Sequence, residues 1–94
     1  MLQTVQPTSA APEAGRAPFV IQRWESARRY YVLILAPNLF GEWELMQAWG
    51  GKGNRLGRLR ALPVADYADG LAALHRVGRV RERRGYRVVQ THVL

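Results

Sequence analysis

Residues 28–36 (RRYYVLILA) constrain the fold of this chain more than any other segment. Side chains alternate between the two sides of a β-strand, and in this run both the even-numbered and the odd-numbered residues are apolar. A strand that is apolar on both sides is expected to be covered on both sides. The segment therefore predicts a buried strand within a sheet.

The segments around this run predict three more strands. Residues 19–25 are dense in β-branched and aromatic residues, which favour strands. Residues 42–49 alternate so that one side carries Trp43, Leu45, Gln47 and Trp49. Residues 58–62 form the next predicted strand, with Arg58 and Arg60 on one side, and Pro63 ends it because proline cannot donate to a sheet ladder.

Residues 65–84 change to a helical period. Apolar or small residues recur at spacings of three and four and predict an inward stripe made of Tyr67, Leu71, Leu74 and Gly78. Aspartates lie in the first turns and arginines in the last, which is the polarity that a helix dipole favours. Gly85 is the predicted stop after the helix, and residues 86–89 are a predicted short last strand.

These elements predict an α+β domain in which an antiparallel sheet of four to five strands packs against one C-terminal helix. Residues 1–17 are rich in Pro, Ala, Ser, Thr and Gln, so we expect a flexible tail there. The folded domain is then residues 18–94. We expect no internal repeat and no second domain in a chain of this length.

The loop between the third and fourth strands concentrates glycine and positive charge. The cations that follow Trp49 and Gly50 have no acid among them in the sequence; they are Lys52, Arg55, Arg58 and Arg60. The chain carries 14 Lys and Arg against 7 Asp and Glu, a net charge of +7. Such a balance favours binding to polyanions, above all nucleic acid. The loop cations would supply affinity for the phosphates, and the Trp49 ring would position a sugar or base.

The arrangement of these motifs resembles a WGR domain, the small Trp-Gly-Arg module of poly(ADP-ribose) polymerases and short bacterial proteins. The similarity spans about residues 23–86 and rests on residues 39–43 (LFGEW), Trp49-Gly50, the Gly/Arg loop, Pro63 and residues 84–86 (RGY). The resemblance implies a sheet packed on one helix and a DNA-binding role, with the tryptophan on a terminal sugar and the arginine on the backbone. Here Gly51 replaces that arginine, so Lys52, Arg55 or Arg58 is expected to supply the cation.

Two interpretations of these residues remain open at the level of sequence. Trp49 either packs in the core with Trp43 or stands at the rim as part of a site. The loop cations either bind nucleic acid or form a solvated face. A secondary basic face on the helix is predicted from Arg76, Arg79 and Arg83.

Other classes of function find no support in the sequence. Cysteine is absent and only two histidines are present, so we predict neither a metal site nor a cofactor. No nucleophile, acid and base stand together, so we predict a non-enzymatic protein. No run is apolar enough to cross a bilayer, and a cytoplasmic location is expected. The predicted partner is DNA rather than RNA; the alternative is a homodimerisation or protein-interaction module acting as an accessory subunit.

Overall fold

The structure is a computed structural model that describes residues 17–94. In chain order its elements are β1 (Val20–Glu25), β2 (Arg29–Pro37), β3 (Trp43–Gly51), β4 (Gly57–Pro63), α1 (Tyr67–Arg83) and β5 (Arg87–Val93). The five strands form one antiparallel sheet in the order β4-β3-β2-β1-β5. The predicted α+β class, with one C-terminal helix, is confirmed.

The ends of most elements lie within two residues of the predicted ends, and the exception is the last strand. It continues to Val93 instead of ending at residue 89, because β1 offers a free edge along its whole length and Val20 pairs with Val93. The predicted tail lies outside the described residues except for Ala17, which is 4% exposed and packs in the core.

Side-chain hydrogen bonds define the start of α1. Asp66 caps the helix by accepting from the backbone N–H of Asp69 at 2.8 Å, and the Asp69 carboxylate accepts from the N–H of Ala65 at 2.9 Å. Gly85 follows the helix with φ at +89°, so the predicted glycine stop is confirmed. Among residues 17–94 no helix is long and apolar enough to cross a membrane.

The core lies between α1 and one face of the sheet. Leu33, Leu35 and Leu45 are 0% exposed there. Gly70 lets the helix approach β2 closely, because a Cβ built at this position would collide with the Cδ1 of Leu35. The residues of α1 that are buried are Gly70, Ala73, Leu74 and Gly78. The predicted stripe does face the core, since Leu74 and Gly78 are buried and Tyr67 and Leu71 are half-buried against it, but it omits Gly70 and Ala73.

The opposite face of the sheet is not covered by any described element. Val32 and Ile34 of β2 lie on this face and are partly exposed. The expectation that both sides of this strand would be covered is not met within residues 17–94. The reason is geometric, because one helix spans the width of only about two strands and α1 contacts β2 and β3 from a single side.

We expect Gly70→Ala to destabilise the fold even though alanine favours helix. Overpacking against a fully buried leucine costs about 1–3 kcal/mol, and the gain in helix propensity is about 1 kcal/mol. The free energy of unfolding in urea should fall by up to about 2 kcal/mol. Ala72→Gly, at an exposed position of the same helix, should cost about 1 kcal/mol by propensity alone. A Gly70→Ala protein more stable than the parent would contradict the close approach of helix and sheet.

Candidate nucleic-acid interface

Trp49 lies near the end of β3, on the face of the sheet that carries α1 but beyond the part that the helix covers. Its cross-strand neighbours are Tyr31 of β2 and Arg58 of β4. The indole stacks on the Tyr31 ring with 5.5 Å between centroids and 11° between planes. Trp49 is half-buried, packing on the core with one side while the remainder lines two adjacent depressions. The indole therefore packs against the core and also stands at its rim; its part in a binding site stays a prediction.

Tyr31 joins this indole to the end of the helix. Its hydroxyl donates to the Oε1 of buried Gln47 at 2.8 Å. The Arg81 guanidinium lies 4.3 Å from the centroid of the Tyr31 ring and 5.3 Å from that of Tyr86. Burial raises the pKa of the Tyr31 hydroxyl, and the positive charges of Arg81 and Arg60 oppose that shift only in part. Tyr31 is therefore a neutral phenol near pH 7 and cannot act as a counter-charge to the arginines.

The larger depression, which we call the arginine cleft, has a volume of about 600 Å³. Its lining comes from the turn between β1 and β2, from strands β2, β3 and β4, and from the end of α1 with the residues that follow it. The lining residues are Ser26, Arg29, Tyr31, Trp49, Arg60, Arg81, Arg84 and Tyr86. Four of these side chains are cations and none is an acid. Within residues 17–94 there are two ion pairs, and neither involves an arginine of the cleft. The Nε of Arg81 is buried and has no hydrogen-bond partner in the same part of the chain.

The second depression, the glycine-loop pocket, has a volume of about 430 Å³ and adjoins the first at Trp49 and Arg29. Its lining also includes Arg28, Gly50, Gly51, Asn54, Leu56, Gly57 and Arg58. Among the four glycines of this segment only Gly53 has a positive φ, at +75°. At Gly50 and Gly57 the requirement is for space and not for a positive φ, since a Cβ on either would come within 3 Å of the Tyr30 hydroxyl. These two glycines make room for a tyrosine.

The structure separates the predicted loop cations. Arg58 lines the glycine-loop pocket and Arg60 lines the arginine cleft. Lys52 instead donates from Nζ to Glu25 Oε1 at 3.0 Å, and Glu25 also pairs with Arg23. These two cations lower the pKa of the Glu25 carboxyl, Arg23 most strongly.

The acid that pairs with Lys52 comes from β1, 27 positions away in the sequence. Arg55 is exposed in the loop and lines neither depression.

The secondary basic face and the cleft are different surfaces. Arg76, Arg79 and Arg83 are exposed on α1, as predicted, but none of them lines the cleft. Six residues that complete the site were not predicted from the sequence, namely Arg28, Arg29, Tyr31, Arg81, Arg84 and Tyr86. Two spacings carried that information: Arg29 lies two residues before Tyr31 on the same side of β2, and Arg81 and Arg84 lie one helical turn apart.

Comparisons with known proteins identify no relative of this chain: no family model, no curated protein and no solved structure matches it. The resemblance to the WGR domain therefore stays a prediction. Within the described residues, no group of three His, Cys, Asp or Glu side chains could hold a metal ion.

Comparing alanine substitutions at the two tryptophans of β3 tests whether Trp49 lies in the core or at its rim. Trp43 is 7% exposed and packs edge-on against Tyr67 with 5.1 Å between centroids, so Trp43→Ala should cost about 3–5 kcal/mol of unfolding free energy. Trp49→Ala removes a half-buried ring and its stacking contact with Tyr31, and we expect a loss of about 1–2 kcal/mol of unfolding free energy. Urea unfolding of both variants measures the difference. Equal losses would mean that Trp49 is a core residue and that no rim position exists.

Proposed function

We propose that this protein is a non-enzymatic nucleic-acid-binding module, for DNA in preference to RNA, and that the ligand backbone lies in the arginine cleft. The observation that supports this proposal is a set of four arginines around stacked aromatic rings, Arg29, Arg60, Arg81 and Arg84, none of which pairs with an acid of residues 17–94. Uncompensated positive charge in a concave surface attracts a polyanion and raises its local concentration.

The chemistry of the cleft suits phosphate and sugar. Guanidinium groups donate two parallel hydrogen bonds to a phosphate, which a lysine cannot do. Tyr31 occupies one face of the Trp49 indole, so a sugar or base would use the opposite face, toward β4 and Arg58. Aromatic contact of this kind tolerates any base. Binding through backbone and sugar should therefore show little sequence preference.

The two depressions extend the same interface. They share Arg29 and Trp49, so a chain of phosphates could pass from the arginine cleft to the glycine-loop pocket beside Arg58. Arg55, exposed in the adjoining loop, could contact a ligand that extends further. Lys52 is the weakest member of the predicted set, because Glu25 already compensates its charge.

The uncovered face of the sheet favours a second candidate function, that of a homodimerisation or protein-interaction module. Val32 and Ile34 are partly exposed there, on the side opposite Tyr31 and Trp49. The two functions use different surfaces and are compatible.

Binding to DNA should weaken steeply with salt. If about four arginines each neutralise one phosphate, the slope of log affinity against log salt concentration should be near −3 to −4 on duplex DNA. Fluorescence anisotropy with duplex, nicked, blunt-ended and single-stranded DNA, and with matched RNA, measures this slope and the preferred form together. An affinity that hardly changes between low and moderate salt would contradict the mechanism.

A matched pair of double variants separates position from total charge. Arg60→Ala with Arg84→Ala removes two cleft arginines, and each loss should weaken DNA binding about tenfold and reduce the salt slope by about one. Arg76→Ala with Arg79→Ala removes the same charge from the exposed face of α1 and should have a much smaller effect. The thermal midpoint of each protein serves as the control for folding. Equal losses of affinity in the two double variants would show that net charge, and not the cleft, attracts the ligand.

A further inference from the structure

The sheet face opposite α1 presents an apolar surface that no described residue covers. This surface, which we call the open face, consists in its central part of Ile21, Val32, Ile34, Met46, Ala48 and Leu59. Leu59 is 68% exposed, and the other five side chains are partly exposed. Toward the Leu39 side of the open face, Ile34 and Met46 line a depression of about 310 Å³ together with Leu39. A contiguous apolar patch on this scale marks an interaction surface.

The charged groups of the open face gather toward its two ends, and the two ends differ in sign. Arg23 is the cross-strand neighbour of Val32, but its guanidinium reaches toward one end, where it and Lys52 share the single carboxylate of Glu25. Arg87 lies opposite Glu25 across the strands at the same end, which leaves a net positive charge there. At the other end Glu44 and Glu42 both accept from the Nδ2 of Asn38, at 3.2 and 3.3 Å. Neither of these glutamates forms an ion pair within residues 17–94. The face thus carries a positive end, an apolar middle and a negative end.

We propose that a second copy of this chain covers the open face, sheet against sheet, an inference that rests on the second candidate function and is independent of DNA binding. A two-fold axis in the plane of the contact and perpendicular to the strands reverses the strand direction of the second copy. The apolar centres then meet, and the positive end of each copy lies against the negative end of the other. The same patch serves both partners, as an isologous dimer requires.

The N-terminal segment of the same chain is a poorer occupant. Residues 1–16 contain only three large apolar side chains, Met1, Leu2 and Val5, against the six apolar residues in the centre of the open face. A second copy, by contrast, offers an apolar surface of the same area, and its charged ends are complementary in sign to the ends that they meet.

The area of the open face sets the strength of the contact. Five strands spaced about 4.8 Å apart, with about six residues each rising about 3.3 Å, give roughly 500 Å² per copy. Both copies together would bury about 1,000 Å², which is the lower limit for a specific interface. The dimer should therefore dissociate on dilution. In this dimer the arginine cleft of each copy would face outward, since Trp49 and Val32 lie on opposite sides of the sheet.

Analytical ultracentrifugation over a concentration series tests the dimer directly. The full chain should show a reversible monomer–dimer equilibrium, whereas Ile34→Glu, which places a charge in the apolar centre, should weaken it tenfold or more. Ala72→Glu on the exposed side of α1 and a chain lacking residues 1–16 should both dimerise like the parent. A parent protein that stays monomeric at every soluble concentration, an undiminished Ile34→Glu dimer, or loss of the dimer on removing residues 1–16 would overturn the proposal.

Mixing two charge variants tests the direction of the two-fold axis and does not depend on the folding of Ile34→Glu. In the proposed dimer Glu44→Arg leaves its end without net charge, because Glu42 remains there, and Arg23→Glu removes the excess of positive charge at the other end, so each variant alone loses the attraction between ends and should dimerise several-fold more weakly than the parent. In an equimolar mixture the unchanged positive end of one variant lies against the unchanged negative end of the other, so the mixture should dimerise more tightly than either variant. A mixture no tighter than its components would overturn this arrangement. Anisotropy with DNA, on monomeric protein, reports separately on the arginine cleft.

Discussion

The packing of Tyr31 is the interaction on which both the fold and the candidate site depend. Its hydroxyl donates a hydrogen bond to buried Gln47, and its ring packs against the Trp49 indole and the Arg81 guanidinium. Through these contacts one side chain of β2 connects β3 with the end of α1. A cation over an aromatic face is stabilised by the ring quadrupole and keeps its full charge. The contact that holds the helix end on the sheet therefore also fixes a positive charge beside the cleft.

A single helix on a five-stranded sheet divides the molecule into two unlike surfaces. On one side α1 covers Leu33, Leu35 and Leu45 and ends before it reaches Trp49, which leaves a cleft between the helix end and the sheet. On the other side nothing within residues 17–94 covers the sheet. The proposed nucleic-acid interface and the proposed dimer contact follow from this asymmetry. Because the two surfaces lie on opposite sides of the sheet, occupation of one proposed interface would leave the other accessible.

Most of the fold could be predicted from the sequence. The period of two in β2 and β3 predicted which residues share a face of each strand, and Gly85 predicted the end of the helix, because these signals are local. Asp66 was predicted within the first turns, whereas it caps the helix from outside. The full length of β5 could not be predicted, since it depends on the free edge of β1. The inward stripe of α1 was partly misjudged because Gly70 has no side chain to signal burial, and its burial depends on the position of Leu35.

The candidate site was predicted less well, for the same reason. The sequence by itself determined an α+β chain with an excess of arginine in its second half and a tryptophan at the end of a strand. Only the tertiary structure decided which cations stand together, because charges interact through space. Glu25, which is distant in the sequence, pairs with Lys52. The arginines of the cleft converge from β2, β4 and the helix end, and no acid in the described part of the chain pairs with them. Local patterning specifies the elements and the faces of each strand, and the packing of one element on another specifies the site.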